Sequence, residues 1–206
     1  MALKKKTFMF LLSTMLITAS GCAKSPQNPS STGSISGEPQ NKTEADVIVI
    51  GAGLSGLSAS VRAAEQGADV LLLEKMAYAG GNCILSTGIL QAAGTKLQAQ
   101  AGIEDSPEQY ALDMAQGASA DRDPVQMKMV STLSGETLDW LADNDVEFSD
   151  KVTQGVGSTA YRAHQSMPDA NELVSGLVDA ASQKGVMIQY DTPVLSLMTD
   201  DQGKVT

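Results

Sequence analysis

The chain has 206 residues, with 24 acidic and 14 basic side chains and a formal net charge of −10. An acidic chain lacks the clustered lysine and arginine that neutralise a phosphate backbone, so its charge argues against nucleic acid as a partner. Its two cysteines, Cys22 and Cys83, provide neither a disulfide framework nor the spacing of a zinc site, and no metal is predicted.

The first 22 residues have the pattern of an export signal. Three lysines precede an apolar stretch from Phe8 to Ile17, and small residues then lead to Cys22. The apolar stretch is shorter than the roughly 20 residues of a bilayer-spanning helix. This pattern resembles a bacterial lipoprotein signal, although Ala19 stands where leucine is commoner. The resemblance implies a lipid anchor on Cys22 at the outer side of the cytoplasmic membrane or in the periplasm. The alternative is a simple secretory signal that is cut nearby.

Residues 23–45 are rich in Ser, Pro, Gly, Asn and Gln and contain almost no large apolar side chains. Such a composition cannot bury enough surface to order itself, which predicts a flexible linker. The folded domain is therefore expected to cover residues 46–206.

A dinucleotide-binding pattern opens this domain. The apolar runs Val47–Ile50 and Val70–Leu73 flank a glycine loop and a helical stretch, and Glu74 closes the unit. The loop comprises Gly51, Ala52, Gly53, Leu54, Ser55 and Gly56. In such units the three glycines allow a tight turn, a close approach to a pyrophosphate and close helix packing, and the acid binds a ribose. The order strand, loop, helix, strand and acid predicts dinucleotide binding.

Residues 76–95 are too rich in glycine for a long helix and too apolar for a solvent loop, which indicates a backbone wrapped around a cofactor. Two helices are predicted to begin at Pro107 and Pro124, after the N-cap residues Ser106 and Asp123. Their predicted core residues are Tyr110, Met114, Met127, Val130, Leu133, Leu138, Trp140 and Leu141.

The rest of the chain is predicted to hold an irregular stretch, a helix and short strands. Residues 146–157 have no regular pattern, and a helix is expected over 171–184. Strands are expected over 186–190 and 194–198, followed by a hairpin turn at 200–203. The chain ends as another strand begins, so a sheet without its next strand is expected.

Together these motifs resemble the FAD-binding flavoproteins of the fumarate reductase and flavocytochrome c family. The resemblance is carried by the GAGLSG loop, Glu74-Lys75, Gly80-Gly81-Asn82, Ser86-Thr87-Gly88 with Ala92, Ala93 and Thr95 behind it, and Tyr161-Arg162-Ala163-His164. It covers essentially all of residues 46–206. It implies an α/β fold: a Rossmann-like FAD-binding domain with a parallel sheet and a β-hairpin, incomplete at its C-terminus because the family's proteins are much longer.

The resemblance also implies a site for FAD. Noncovalent binding is expected, because members with covalently attached FAD carry a histidine in the segment that corresponds to residues 76–95, and this chain has none there. The predicted cofactor contacts are Gly51, Ala52, Gly53, Leu54, Ser55, Gly56, Glu74, Lys75, Gly81, Asn82, Ser86, Thr87 and Gly88. Two stretches depart from the family pattern: Ile89 replaces a common second glycine, and residues 165–171 replace a glycine-rich stretch.

The implied activity is the reduction of an unsaturated acid, such as fumarate or a related enoate, with electrons from an external donor protein. No catalytic residue is assigned, because the family's substrate-binding histidines and arginines correspond to positions beyond Thr206. The only histidine, His164, is expected to be structural or flavin-adjacent. Two alternatives stay open. One is a non-catalytic surface lipoprotein, or truncated flavin-binding relic, and the other is NAD in place of FAD, against which the GGN segment argues.

Overall fold

The computed structural model describes residues 42, 44–118 and 123–205. The predicted signal peptide, Cys22 and most of the predicted linker lie outside these residues. Along the described chain the elements are β1 (Val47–Ile50), α1 (Leu54–Glu65), β2 (Val70–Leu73), a 3-10 helix (Gly81–Leu85), β3 (Ile89–Gln91), α2 (Lys96–Gln100), α3 (Pro107–Gly117), α4 (Pro124–Asp143), β4 (Thr153–Gln154), β5 (Tyr161–Gln165), α5 (Asn171–Gln183) and β6 (Met187–Gln189).

A parallel sheet has the strand order β1-β2-β6. Val47 stands opposite Val70, and Leu71 stands opposite Met187. Helix α1 connects two parallel neighbours, as a crossover connection requires. Helices α1 and α5 pack on this sheet through side chains that include Leu57 and Leu177, and each burial of this kind stabilises the fold by about 1.5–3 kcal/mol. The prediction of an α/β fold with a parallel sheet is confirmed.

A second, antiparallel sheet has the order β3-β5-β4. Leu90 of β3 lies opposite His164 of β5, so this sheet joins the end of the glycine-rich segment to the Tyr161–His164 motif. Strand β4 falls within residues 146–157, which the sequence pattern left irregular, and only two of its residues pair. A ladder this short leaves no alternation that a sequence pattern could reveal.

Helices α3 and α4 begin where their caps predict. The Ser106 hydroxyl accepts a hydrogen bond from the Gln109 amide at 3.1 Å, and Asp123 accepts one from the Val125 amide at 2.8 Å. Leu138 and Leu141 are buried as predicted.

The prediction that Val130 and Leu133 belong to the core is wrong, since 45% and 47% of their surfaces are exposed. The buried stripe of α4 instead runs through Ser131, Gly135 and Leu138. A Cβ at position 135 would overlap the Ala93 carbonyl oxygen, so the backbone of residues 93–94 packs directly on the face of α4 that carries Gly135.

The strand predicted over residues 194–198 is not formed among the described residues. Leu195 is 93% exposed and no neighbouring strand pairs with it, so its backbone has no ladder to join. The hairpin that follows is reduced to a turn, closed by a 2.9 Å bond from the Asp200 amide to the Lys204 carbonyl, with Thr199 opposite Val205. None of the helices in the described part of the chain is long and apolar enough to cross a bilayer.

Candidate dinucleotide site

The glycine loop turns sharply between β1 and α1. Gly51 has φ of +94°, which favours glycine, and its amide donates to the Leu73 carbonyl at 2.7 Å. A Cβ at Gly56 would overlap the Gly51 carbonyl oxygen. The first turn of α1 therefore rests directly on the loop, as the sequence analysis predicted for Gly56.

Gly53 differs from its neighbours because nothing within the described residues requires glycine there. Its φ of −74° and ψ of 177° suit any residue, and a Cβ on Gly53 would meet no described atom within 4 Å. Gly53 is also the N-cap of α1, and no side chain in the described part of the chain caps that helix end. The space in front of Gly53 therefore lies open beside the first-turn amides of α1, which have no partner within the helix, and beside the positive end of a helix dipole, which suits an anionic group.

Glu74 connects the end of β2 to the glycine loop. The side chain is buried, its Oε2 accepts from the Ala52 amide at 2.7 Å, and its Oε1 accepts from the Met76 amide at 2.8 Å. Each carboxylate oxygen can accept a further hydrogen bond, so a hydroxyl of a ligand can still bind here. The neighbouring Lys75 is exposed.

The Gly80-Gly81 pair lies against the loop. The Gly80 amide donates to the Ala52 carbonyl at 2.7 Å, and a Cβ on Gly81 would lie 3.6 Å from the Gly53 Cα. Gly80 was absent from the predicted contacts, although its φ of +120° and its packing against Ile84 leave no room for a side chain. The doubled glycine in the sequence was the available signal.

Residues 86–88 continue from this cluster through the 3-10 helix. Ser86 and Thr87 are exposed, as is Asn82 within the helix. Gly88 has φ of +73°, and the place of its missing Cβ is filled by the Ser166 hydroxyl and the Ala170 backbone. The glycine at 88 is thus explained by packing within the protein. Its predicted contact with a cofactor stays a prediction.

The structure brings the predicted contacts together in two groups. The loop, Glu74 and Gly81 are joined by direct contacts, whereas Ser86–Gly88 are reached only through the 3-10 helix. A cavity of about 510 Å³ lies elsewhere, beside Tyr110 and Asp113, and contains none of these residues. Large pockets are the usual first choice for a ligand site, but the glycine geometry favours the open groove along the loop as the candidate site.

His164 lies outside this groove and is fully buried. Its Nδ1 lies 2.9 Å from the Arg162 carbonyl, which can only accept, so Nδ1 carries the proton. Nε2 then accepts from the Thr95 hydroxyl at 2.9 Å, and the Thr95 oxygen itself accepts from the Gln98 amide. Both ring nitrogens of a neutral imidazole are used, which favours a structural role.

We expect His164 to make stability depend on pH. Burial lowers the pKa of its imidazole below the usual range, while the bond to the Arg162 carbonyl and the charges of Asp139 and Asp105 raise the pKa by less. The unfolded chain therefore binds more protons than the folded one just below pH 6.5. As the pH falls from there towards the folded-state pKa, the free energy of unfolding decreases by about 1.4 kcal/mol per pH unit. Urea unfolding at pH 7.5 and 5.5 should show this loss.

The same measurement on His164→Gln provides the control. Because the chain has one histidine, the variant should lose the pH dependence between these two values. An unchanged pH dependence in the variant would assign the effect to other groups.

A buried charge cluster behind β5 was missed by the sequence analysis. Arg162 is fully buried, and its Nη2 lies 2.8 Å from Asp105 and 3.0 Å from Asp113. The Tyr110 ring covers its guanidinium at 4.6 Å. Arg162 follows Asp105 by 57 positions and also lies far along the chain from Asp113, so no local spacing connects the arginine with the two acids.

Comparisons with known proteins agree with this geometry. Residues 46–206 match a family model described as FAD binding domain. The chain is similar to the fumarate reductase (cytochrome) of Shewanella frigidimarina, with 33% identity over 78% of this chain and 28% of that protein. It is likewise similar to the NADH:fumarate oxidoreductase of Klebsiella pneumoniae, with 33% identity over 76% of this chain and 17% of the relative.

Among solved structures, the open conformation of a flavocytochrome c3 fumarate reductase superposes with a TM-score of 0.73. It is 28% identical and aligns with 80% of this chain and 30% of its own length. The chain thus spans less than a third of the length of these relatives.

Proposed function

The chain belongs to the family of FAD binding domains, and on that premise we propose that it provides the FAD-binding part of an exported oxidoreductase that reduces an unsaturated acid such as fumarate. The main support is the glycine at position 53, because neither its backbone conformation nor its packing within the described chain requires glycine. A group from outside the chain that approaches the backbone closely accounts for that residue, and a pyrophosphate at a helix N-terminus is such a group.

The residues of the groove have separable tasks in this proposal. The uncapped first turn of α1 holds the pyrophosphate through backbone amides, and Gly53 keeps that approach free. Glu74 orients the adenosine ribose through its remaining acceptor sites, while its bond to the Ala52 amide fixes the loop. FAD supplies hydride transfer when it is bound, and the protein contributes orientation and electrostatics.

No proton donor for the substrate is assigned among the described residues. His164 is neutral, buried and bonded through both nitrogens, and Arg162 is enclosed by Asp105, Asp113 and Tyr110. One relative is named for a cytochrome and the other for NADH. These names support an electron donor outside this domain, but they differ in the kind of donor. We therefore expect these 206 residues to bind FAD and not to turn over fumarate alone.

Titration of the purified chain with FAD tests the proposal. Flavin fluorescence and the visible flavin band should report noncovalent binding, denaturation should release FAD, and NAD in the same titration should not compete. Oxidation of a reduced dye with fumarate then tests turnover. Absence of FAD binding would refute the proposal, binding without turnover is the expected result, and turnover would show that the active site is complete. Binding without turnover also fits the flavin-binding relic, so the two are separated by assaying the chain joined to the remaining part of a relative such as the fumarate reductase (cytochrome) of Shewanella frigidimarina.

Export and a lipid anchor are the second part of the proposal. They are supported by the three lysines, the Phe8–Ile17 stretch and the small residues before Cys22. Incorporation of labelled fatty acid into the expressed chain should be lost in Cys22→Ala. Retention of the label in that variant would contradict the anchor.

A further inference from the structure

We propose that Gln165 is a positioning residue for the flavin end of the cofactor site. The proposal rests on the proposed function, because it takes residues 86–88, which the resemblance implies as cofactor contacts, to be the backbone that faces the flavin. It concerns the stretch 165–171, where the chain departs from the glycine-rich pattern that the resemblance led us to expect.

The side chain of Gln165 bridges two backbone segments. Its Nε2 donates to the Thr87 carbonyl at 2.7 Å and to the Ser166 carbonyl at 3.0 Å. Both partners are pure acceptors, so the nitrogen of the amide must face them, and its two protons are both used. An oxygen in that place would face two carbonyl oxygens.

Ser166 completes the contact from the next position. Its amide donates to the Gly88 carbonyl at 2.9 Å, and its fully buried hydroxyl lies 3.0 Å from the same oxygen and 2.8 Å from the Asp169 carbonyl. One hydroxyl proton serves one of these two acceptors at a time, but the Gly88 carbonyl keeps the amide bond in either case. The carbonyls of Thr87 and Gly88 are thus both held against β5.

The segment is otherwise open to its surroundings. Thr87 is exposed, and the flanking apolar side chains of Leu85 and Ile89 are 81% and 50% exposed. An open backbone between two large apolar side chains suits an aromatic ring system with polar edges. By fixing the carbonyls on one side, Gln165 sets the direction in which the segment meets that ring.

The test exchanges the donor for an acceptor of the same shape. Gln165→Glu places a carboxylate oxygen against the Thr87 and Ser166 carbonyls and should raise the Kd for FAD about 10-fold or more and shift the visible band of bound flavin. Gln154→Glu is the matched control: Gln154 lies in the same sheet, and its Nε2 donates to the Ser158 carbonyl at 2.8 Å, away from residues 86–88. The control should change the Kd less than about twofold.

A second variant separates the bridge from the added charge. Gln165→Leu removes both donors without a charge and should raise the Kd about 3-fold or more with the same spectral shift, which also covers the case in which Gln165→Glu does not fold. A Kd within about twofold of the original for Gln165→Leu, with an unshifted band, overturns the positioning role. An equal loss in Gln154→Glu overturns it as well. If the unmodified chain does not bind FAD, the proposed function fails, and the positioning role fails with it.

Discussion

Replacing Gly53 with serine is expected to weaken FAD binding about 100-fold or more without weakening the fold. The backbone at Gly53 is extended and a Cβ there meets no described atom, so serine fits the apo protein. Serine is also a favoured N-cap residue and should stabilise α1 by about 0.3 kcal/mol relative to glycine. The added side chain, however, fills the space where the pyrophosphate would approach.

The introduced hydroxyl blocks the cofactor in a second way. As an N-cap it accepts from the amide of Ser55 or Gly56, and these are donors that a pyrophosphate at this helix end needs. The pyrophosphate thus loses both its close approach to the backbone and one backbone donor, which predicts a rise in the Kd for FAD of about 100-fold or more.

Gly56→Ala is the matched comparison, since it adds one carbon to another glycine of the same loop. Its Cβ would overlap the Gly51 carbonyl oxygen, which belongs to backbone and cannot rotate away. We expect it to lower the free energy of unfolding by about 3 kcal/mol. Thermal unfolding of both apo variants, followed by FAD titration, separates the two outcomes. Tight FAD binding by Gly53→Ser would show that the ligand does not pass over Gly53.

The dinucleotide unit was predictable because its signals are local. Strand, loop, helix, strand and acid follow one another within thirty residues or so, about the length of one βαβ unit, and each glycine has a conformational or steric reason that acts on near neighbours. Gly51, Gly56 and Glu74 accordingly take the places that the sequence indicates.

Features that depend on distant partners were not predictable in this way. Helical spacing favoured Val130 and Leu133 for the core, but the backbone near Ala93 selects the face of α4 that carries Gly135. Residues 194–198 have the composition of a strand and lack a neighbour to pair with among the described residues. In the first case a tertiary contact selects the buried face, and in the second the lack of a pairing strand leaves a local preference unrealised.

Replacing Arg162 with methionine is expected to cost about 3–5 kcal/mol of folding stability, a large share of the 5–15 kcal/mol typical of a domain. Arg162 is paired with Asp105 and Asp113, and all three side chains are buried. Methionine keeps much of the volume and the contact with the Tyr110 ring but leaves two carboxylates without their counter-charge.

Arg62→Met is the control for this change. Arg62 also lies over an aromatic ring, with Trp140 at 5.2 Å, and pairs with Glu65 at 3.0 Å, but its side chain is 53% exposed. An exposed pair of this kind contributes about 1 kcal/mol or less. Urea unfolding followed by far-ultraviolet circular dichroism should therefore separate the two arginines, and equal losses would contradict the assignment of Arg162 to a buried charge cluster.

The pH dependence of the Arg162→Met loss distinguishes lost charge from lost packing. Burial raises the pKa of Asp113, but hydrogen bonds from Thr159 and Gln109 and the charge of Arg162 lower it by more. In the original chain this carboxylate therefore adds stability above its ordinary pKa near 3.9, and the contribution is lost as the pH falls through the folded-state pKa. Without Arg162, the pKa of Asp113 in the folded chain should rise towards its ordinary value, so acid costs the variant less stability than it costs the original chain. The difference in free energy of unfolding between the two proteins should therefore narrow as the pH falls below about 4, whereas a cavity alone would leave it constant.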